Sequence, residues 1–172
     1  MTATEKTNIG SAEFREAMCR HAAGVALVTT RTVDGRPLGM LATAVTSVTA
    51  DPPTILVCIN SGASMHADVS RGGVFAVNFL AESHRRIADR FASPEARDQR
   101  FQSGDWGIAE TGSPVLMGAM AVLDCQVGQI EEVGTHSVLF GRVVETVIGA
   151  EVDYSPMVYF ERRYRALSGS RL

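Results

Sequence analysis

The sequence predicts a mainly β protein, folded as a closed or partly closed antiparallel barrel with a few short helices. Apolar, β-branched segments recur along the chain, and turn residues separate many of them at hairpin spacing. Helical segments are few and do not alternate with the strands, as a doubly wound parallel sheet would require. No G-x-G-x-x-G follows a strand, so the dinucleotide-binding fingerprint is absent. An antiparallel barrel of about seven strands therefore fits best.

A helix is predicted at the start of the domain. Ser11 is a plausible N-cap, acidic residues follow it in the first turn, and Gly24 is expected to end the helix. Apolar residues at helical spacing predict one face packed on the core. The residues of that face are Phe14, Ala17, Met18 and His21.

The first hairpin follows this helix. The segment VALVTT from Val25 is typical of a strand, and Asp34-Gly35 is a strong signal for a tight turn. Its partner is predicted as one long strand over 38–49, ended by Asp51-Pro52-Pro53, because proline cannot donate to a sheet.

The rest of the chain predicts more strands with short helical inserts. Two nearly continuous apolar segments, 54–60 and 74–80, are expected to be strands buried on both faces. The other expected elements are a loop with a short helix over 61–73, two short helices over 83–101 with one starting at Ser93-Pro94-Glu95, long strands over 117–131 and 135–148, and a closing strand pair over 157–167.

Length and composition limit the class of protein. Residues 1–10 are expected to be a flexible lead, and residues 11–172 a single domain. A formal net charge of −3 gives no general attraction to nucleic acid or anionic lipid. No apolar segment approaches the ~20 residues of a membrane span. The four histidines show no metal-ligand spacing, so no metal site is expected.

The cysteines indicate the compartment. Cys19, Cys58 and Cys125 are odd in number and widely spaced, which favours free thiols in a reducing environment. We therefore expect a cytoplasmic protein. Cys58 lies within an apolar strand and, taken alone, is interpreted as a structural residue.

Two segments are candidates for ligand binding. The small and hydroxyl residues of 42–53 could let a planar ligand approach the backbone, although a solvated strand face has the same composition. The Gly- and Ser-rich loop in 59–64 could form an anion site, or an ordinary turn. In 134–143, His136 starts a strand and is either a ligand contact or a half-exposed strand end.

The order of these segments resembles the short-chain flavin reductase family. The resemblance covers about residues 12–167 and includes the reductase components of 4-hydroxyphenylacetate and pyrimidine monooxygenases. The segments that carry it, in order, are FREAMCRHAAGVALVTT, ATAVTSVTADPPTILVCIN, the serine loop, VFAVNFL, RF (100–101), VGTHSVLFGRV and MVYFERRYRAL.

The resemblance implies an FMN-binding split β-barrel of Greek-key topology that forms a homodimer, with flavin near the subunit interface. The residues it assigns to flavin are Thr43, Ala44, Thr46 and Ser47 on one side, Cys58, Ile59 and Asn60 on the other, and Ser64 near the phosphate. His136 would position the nicotinamide, with Tyr159 and Arg163 as weaker candidates. Asn78 is expected to tie strands together. The chain has Thr135 where the family often has aspartate.

The implied activity is hydride transfer from NADH or NADPH to FMN or FAD, with reduced flavin passed to a separate oxygenase. Two alternatives stay open at this point. One is a reductase whose electrons reach a corrinoid or a ferric chelate. The other is a flavin-storage protein with the same barrel.

Overall fold

The computed structural model describes residues 9–150 and 155–167, and this part of the chain is mainly β. Its strands are β1 Ala23–Gly24, β2 Ala26–Arg31, β3 Pro37–Ala42, β4 Val45–Ala50, β5 Pro53–Asn60, β6 Val74–Phe79, β7 Trp106–Ile108, β8 Pro114–Leu116, β9 Ala121–Val133, β10 His136–Ile148, β11 Met157–Phe160 and β12 Arg163–Ala166. Its helices are α1 Ser11–Met18, α2 His66–Gly72 and α3 Arg85–Ala92, with 3₁₀ turns at Glu82–His84 and Arg97–Gln99. Most of the predicted lead, residues 1–8, lies outside the described residues.

One antiparallel sheet forms the body of the molecule. Its strand order is β3-β2-β6-β9-β10-β5-β4, so its two edges are strands that follow one another in the chain. Only Thr43 and Ala44 lie between these edges. Three residue steps span at most about 11 Å, so the sheet must curl until its edges come close. The edges do not pair, and the sheet is therefore a split barrel with an open seam at Thr43 and Ala44.

The predicted single strand over 38–49 is wrong. The chain leaves the sheet at Thr43, and its two halves become opposite edges of the barrel. The reversal predicted at Asp34-Gly35 is confirmed, because β2 and β3 pair there antiparallel. Gly35 adopts φ +84° and donates its N–H to the carbonyl of Thr32 at 2.9 Å. A positive φ of this kind favours glycine.

Two cores lie on the two faces of the sheet. The barrel interior is filled from the inner faces of the strands, and includes Val28, Val57, Phe75 and Leu139. A second core packs the outer face against α3 and the β7–β8 hairpin, and includes Leu27, Ala76, Phe91 and Leu116. Strand β6 is buried on both faces, as predicted.

Strand β5 differs from its prediction. Ile55, Val57 and Ile59 are buried, but the alternate residues Leu56 and Cys58 are only half-buried. One face of β5 therefore belongs to the core, while the other remains open to a ligand. A nearly continuous apolar sequence could not distinguish these two situations.

Helix α1 also differs from its prediction. It ends at Met18 and not at Gly24, and Gly10, not Ser11, is the N-cap. None of its residues is buried: Phe14 is 53 % and Met18 48 % exposed. The N–H groups of Arg20 and of the following residue turn back to carbonyls three residues earlier, which tightens the chain and ends the helix. The apolar face exists, but within the described residues it contacts no core.

Asn78 ties three segments together, as predicted. Its Nδ2 donates to the carbonyl of Leu27 at 2.9 Å and to Thr29 Oγ1 at 3.1 Å. Its Oδ1 accepts from the N–H of Leu116 at 2.7 Å. Since the side chain is fully buried, all of these bonds replace water that it lost on folding.

The longest helices among the described residues have eight residues, too few to cross a bilayer. In the same part of the chain, no three His, Cys, Asp or Glu side chains form a cluster able to hold a metal ion.

Candidate active site at the open seam

A cavity of about 220 Å³ lies at the seam, and we call it the central pocket. Strand pairing builds it: His136 on β10 lies directly opposite Asn60 on β5, and the Cys58 N–H donates to the Ala44 carbonyl at 3.1 Å. The complete lining is Met40, Leu41, Ala42, Thr43, Ala44, Cys58, Asn60 and His136. Five of the predicted site residues therefore lie around one pocket.

Two larger clefts meet the central pocket at Thr43, which lines all three. The first, of about 600 Å³, lies between α1 and β4 and includes Thr46 and Tyr159; we call it the α1 cleft. The second, of about 360 Å³, lies between α3 and the β11–β12 hairpin and includes Tyr159 and Tyr164. The two tyrosine rings stack edge to face with centroids 5.6 Å apart.

A fourth cavity, of about 560 Å³, is rich in positive charge and is called the arginine pocket. It contains Ser64 together with Arg36, Arg97 and Arg100, and one carboxylate, Asp98. Strand β3 joins it to the central pocket, because residues 37–39 line the first and residues 40–42 the second. The two pockets are therefore neighbours along β3, and we call the surface of this strand between them the groove.

Arg100 is held without a carboxylate partner. Its two terminal nitrogens donate to the carbonyls of Gly39 at 3.3 Å and Ser93 at 3.4 Å, and the guanidinium lies 5.6 Å from the Phe91 ring centroid. Its Nε is the single buried side-chain nitrogen or oxygen in the described residues that has no hydrogen-bond partner. Burial, and then the charge of Arg97, lower the pKa of Arg100. An anion would relieve both effects.

The loop after β5 has a defined shape. Asn60 Oδ1 accepts from the Gly62 N–H at 2.8 Å, and its backbone carbonyl accepts from Ala63 at 2.9 Å. This turn carries Ser64 from the end of β5 to the arginine pocket. Asn60 therefore both lines the central pocket and sets the position of the Ser64 loop.

His136 is exposed, at the first position of β10. The turn before it uses Gly134 at φ +59°, and Thr135 Oγ1 lies 3.0 Å from His136 Nδ1. The Thr135 hydroxyl therefore contacts one ring nitrogen of His136, and it does so without adding a negative charge.

The fold agrees with the comparisons to known proteins. A family model described as the flavin reductase like domain matches residues 18–168. The chain belongs to the flavin reductase family.

A relative in Ancylobacter novellus, named FMN reductase (NADH) RutF, is 40% identical over 174 residues, covering 96% of this chain and 94% of the relative. Nitrilotriacetate monooxygenase component B from Mycobacterium thermoresistibile superposes with a TM-score of 0.86 at 28% identity, covering 91% and 86% of the two chains. BorF, the flavin reductase component of a bacterial two-component tryptophan halogenase, gives a TM-score of 0.83 at 31% identity, covering 94% and 100%. These matches confirm the predicted family, the split-barrel fold and the flavin reductase class of enzyme.

Three candidate residues of the flavin reductase site lie away from the four cavities. The Ile59 side chain is fully buried in the barrel interior, so only its backbone can reach the groove. Ser47 pairs with Ile55, on the opposite face from Thr46, because neighbouring strand residues alternate. Arg163 is exposed and lines none of these cavities.

The sequence reasoning missed the arginines of this reductase. Arg36, Arg97 and Arg100 are far apart in the chain and meet only in the folded protein. The pair RF (100–101) was a signal, since it contributed to the resemblance without being given a role.

Arg162 lines the α1 cleft and donates to Glu16 at 3.0 Å.

The cysteines differ sharply in environment. All three are free thiols, with Cys19 and Cys58 half-buried and Cys125 buried. Burial, and then the charge of Asp124, raise the pKa of Cys125 to about 12. Cys125 is therefore an inert core residue, whereas Cys58 lines the central pocket.

Proposed function

We propose that this flavin reductase oxidises NADH and reduces FMN, and that it supplies the reduced flavin to a separate oxygenase. The observation that carries the proposal is the groove that runs from an uncharged pocket at the open seam to a pocket with three arginines. The choice of FMN and NADH follows the name of the Ancylobacter relative. Two of the structural neighbours are components of larger enzyme systems, a nitrilotriacetate monooxygenase and a two-component tryptophan halogenase.

The dimensions of the groove suit a flavin mononucleotide. From Gly39 to Thr43 the chain advances four residues, about 13 Å at ~3.3 Å per strand residue. That is the length scale of a ribityl phosphate arm with part of the ring. The positive charges of Arg36, Arg97 and Arg100 would attract a phosphate to the arginine pocket, and Ser64 supplies a hydroxyl to the same pocket.

The ring would lie in the central pocket. The backbone at Thr43 and Ala44 is exposed and carries small side chains, which permits close approach by a planar group. Cys58 and Asn60 would form the facing wall, with backbone contributions from Ile59. Thr46 would contact the bound ligands from the α1 cleft.

When bound, the flavin supplies the two-electron chemistry and accepts a hydride from reduced nicotinamide. The chain's own task is to align the two rings and to exclude water. His136 would hold the nicotinamide, with its Nδ1 oriented by Thr135. Tyr159 would close the adjacent clefts, and Arg163 remains a weaker candidate for the same role. No side chain needs to donate a proton in this step.

We also propose a homodimer that covers the open side of the site. Helix α1 exposes Phe14 and Met18 beside the α1 cleft, and β4 leaves five of its six residues exposed. Burying such apolar surface favours association. Sedimentation should therefore give twice the monomer mass, and Phe14→Glu should shift it to the monomer.

Residues 11–172 are proposed to act as a single domain. A cytoplasmic location is proposed as well, supported by the three free thiols.

An anaerobic assay tests the proposed function. The purified protein is mixed with NADH or NADPH and with FMN or FAD, and flavin bleaching is followed. We expect the fastest bleaching with NADH and FMN. No bleaching with any pair would refute the proposal, and flavin binding without bleaching would favour the storage alternative. NADH oxidation that is much faster with an added corrinoid or ferric chelate than with free flavin, with reduction of that acceptor, would favour the remaining alternative.

A further inference from the structure

A hydrogen-bonded chain of three side chains lies behind the candidate site. His66 Nε2 is 2.6 Å from Ser137 Oγ, and Ser137 Oγ donates to Glu132 Oε1 at 2.8 Å. Ser137 is fully buried, whereas His66 is half-buried and Glu132 is exposed. None of the three lines a cavity of the site, and none is used in the proposed mechanism.

The direction of each hydrogen bond in this chain follows from Glu132, the acceptor at its end. An ionised carboxylate only accepts, so the Ser137 hydroxyl donates its one proton to Glu132. Ser137 Oγ must then accept from His66, which places a hydrogen on Nε2. The chain therefore selects the Nε2–H tautomer of His66, and the same bond persists if the ring takes up a second proton.

This hydrogen-bonded chain of side chains connects the two segments that form opposite ends of the groove. His66 is the first residue of α2, two residues after Ser64, and Ser137 directly follows His136. A second link lies nearby, since both the N–H and the hydroxyl of Ser61 donate to the Thr135 carbonyl, at 3.0 and 3.1 Å. The loop is thus fastened to the β9–β10 hairpin on both sides of Ser64.

We propose that His66 is a positioning residue, which acts through Ser137 and Glu132 to hold the Ser64 loop at a fixed distance from His136. The proposal rests on the proposed function, since it assigns Ser64 to a phosphate and His136 to the nicotinamide. Without the His66–Ser137–Glu132 bonds, the loop keeps its own turn and the Ser61 bonds, but on the α2 side of Ser64 it loses its described hydrogen bond to the β9–β10 hairpin. The phosphate end of the groove then loses its alignment with the ring end.

Riboflavin separates this role from a general structural one, because it carries the ring and the ribityl chain but no phosphate. The dissociation constants of FMN and riboflavin are measured by quenching of flavin fluorescence, without nicotinamide. For His66→Ala we expect a roughly fivefold to tenfold weaker affinity for FMN and little change for riboflavin. His66→Gln places an amide N–H near the position of Nε2 and should restore most of the FMN affinity.

Neighbouring glutamates on β9 provide a matched control. Glu132→Ala removes the end of the chain and should weaken FMN in the same sense as His66→Ala. Glu131 is also exposed, and its side chain accepts a hydrogen bond from Gln129 on its own strand, so Glu131→Ala should leave both affinities unchanged. Thermal unfolding of each variant shows whether the fold is retained.

The outcomes are distinct. If wild type binds neither flavin, the proposed function fails. If wild type prefers FMN but His66→Ala and Glu132→Ala keep the wild-type ratio of FMN to riboflavin affinity, the positioning role is wrong. Equal weakening of both flavins, or no rescue by His66→Gln, also overturns it. Because His66 and Glu132 both reach solvent, neither variant buries an unpaired charge, and both are expected to fold.

Discussion

The two ends of the groove differ in the charge of the side chains that line them. The arginine pocket has three guanidinium groups, one of them with a buried nitrogen that lacks a partner. The central pocket has no carboxylate, lysine or arginine, and its wall is small side chains, a thiol, an amide and an imidazole. One end can hold a ligand by charge, and the other can hold one by shape and by hydrogen bonds.

Because of this difference, we expect one end of the groove to set the affinity for the flavin phosphate and the other end to support hydride transfer to the ring. A charged pocket binds the phosphate of any flavin mononucleotide, whether the ring is oxidised or reduced. An uncharged pocket at an open seam leaves the ring accessible to a second ligand and allows the product to leave. Modest total affinity suits a reductase whose flavin must move to another protein. The following predictions test each end of the groove separately.

The largest effect is expected at the charged end. Arg100→Ala should weaken FMN roughly 10- to 100-fold, because a charge-assisted hydrogen bond to phosphate is lost. Riboflavin affinity, measured by the same fluorescence titration, should change little. Arg86→Ala, which removes an exposed arginine on α3, is the control. An equal loss for riboflavin would place the phosphate elsewhere.

A large side chain at the seam should affect both flavins alike. Ala44→Leu puts a branched side chain at the central pocket, and overpacking of this kind should cost about tenfold in affinity or more. FMN and riboflavin should weaken by the same factor. Ala50→Leu, at the exposed far end of β4, is the control. Unchanged binding of both flavins would remove Ala44 from the ring site.

His136→Ala should affect the second ligand and not the first. The Michaelis constant for NADH should rise about fivefold, since one positioning contact is lost. The dissociation constant of FMN should stay at its wild-type value and serves as the internal control. A variant with the wild-type Michaelis constant and rate would remove His136 from the nicotinamide site.

The smallest effect is on thiol reactivity. Alkylation of Cys58, followed by mass spectrometry, should slow severalfold with saturating FMN or riboflavin, but not with inorganic phosphate. Cys125 should stay unmodified while the protein is folded, because burial raises its pKa to about 12 and the thiolate is the reactive form. Flavin that leaves the Cys58 rate unchanged would contradict the ring position.

Local patterns predicted the hairpins and the central strand correctly. Asp34-Gly35 favours a tight reversal through its own backbone preferences. The residues of β6 are apolar except for Asn78, and they are buried between two cores. The break at Thr43 had no such signal. Alanine and threonine fit a continuous strand, so a single strand was predicted over 38–49. In the barrel these residues form two strands, β3 and β4, at opposite edges of the sheet.

The residues of the candidate site were likewise only partly predictable from local sequence patterns. The candidates at 43, 44, 58, 60 and 136 meet in one pocket because strand pairing brings them together. The resemblance supplied those positions, while periodicity alone left each of them ambiguous. The apolar face of α1 was read correctly as a pattern, but its expected burial was wrong because amphipathicity does not specify what a helix contacts.

The sequence by itself determined the strand content, the tight turns and the family. These depend on backbone preferences and on the order of segments, which are local or nearly so. Only the tertiary structure decided that β3 and β4 are opposite edges, that three distant arginines share a pocket, and that His66 reaches Ser137. Such contacts join residues far apart in the chain, and only closure of the sheet brings them within hydrogen-bonding or Coulombic range.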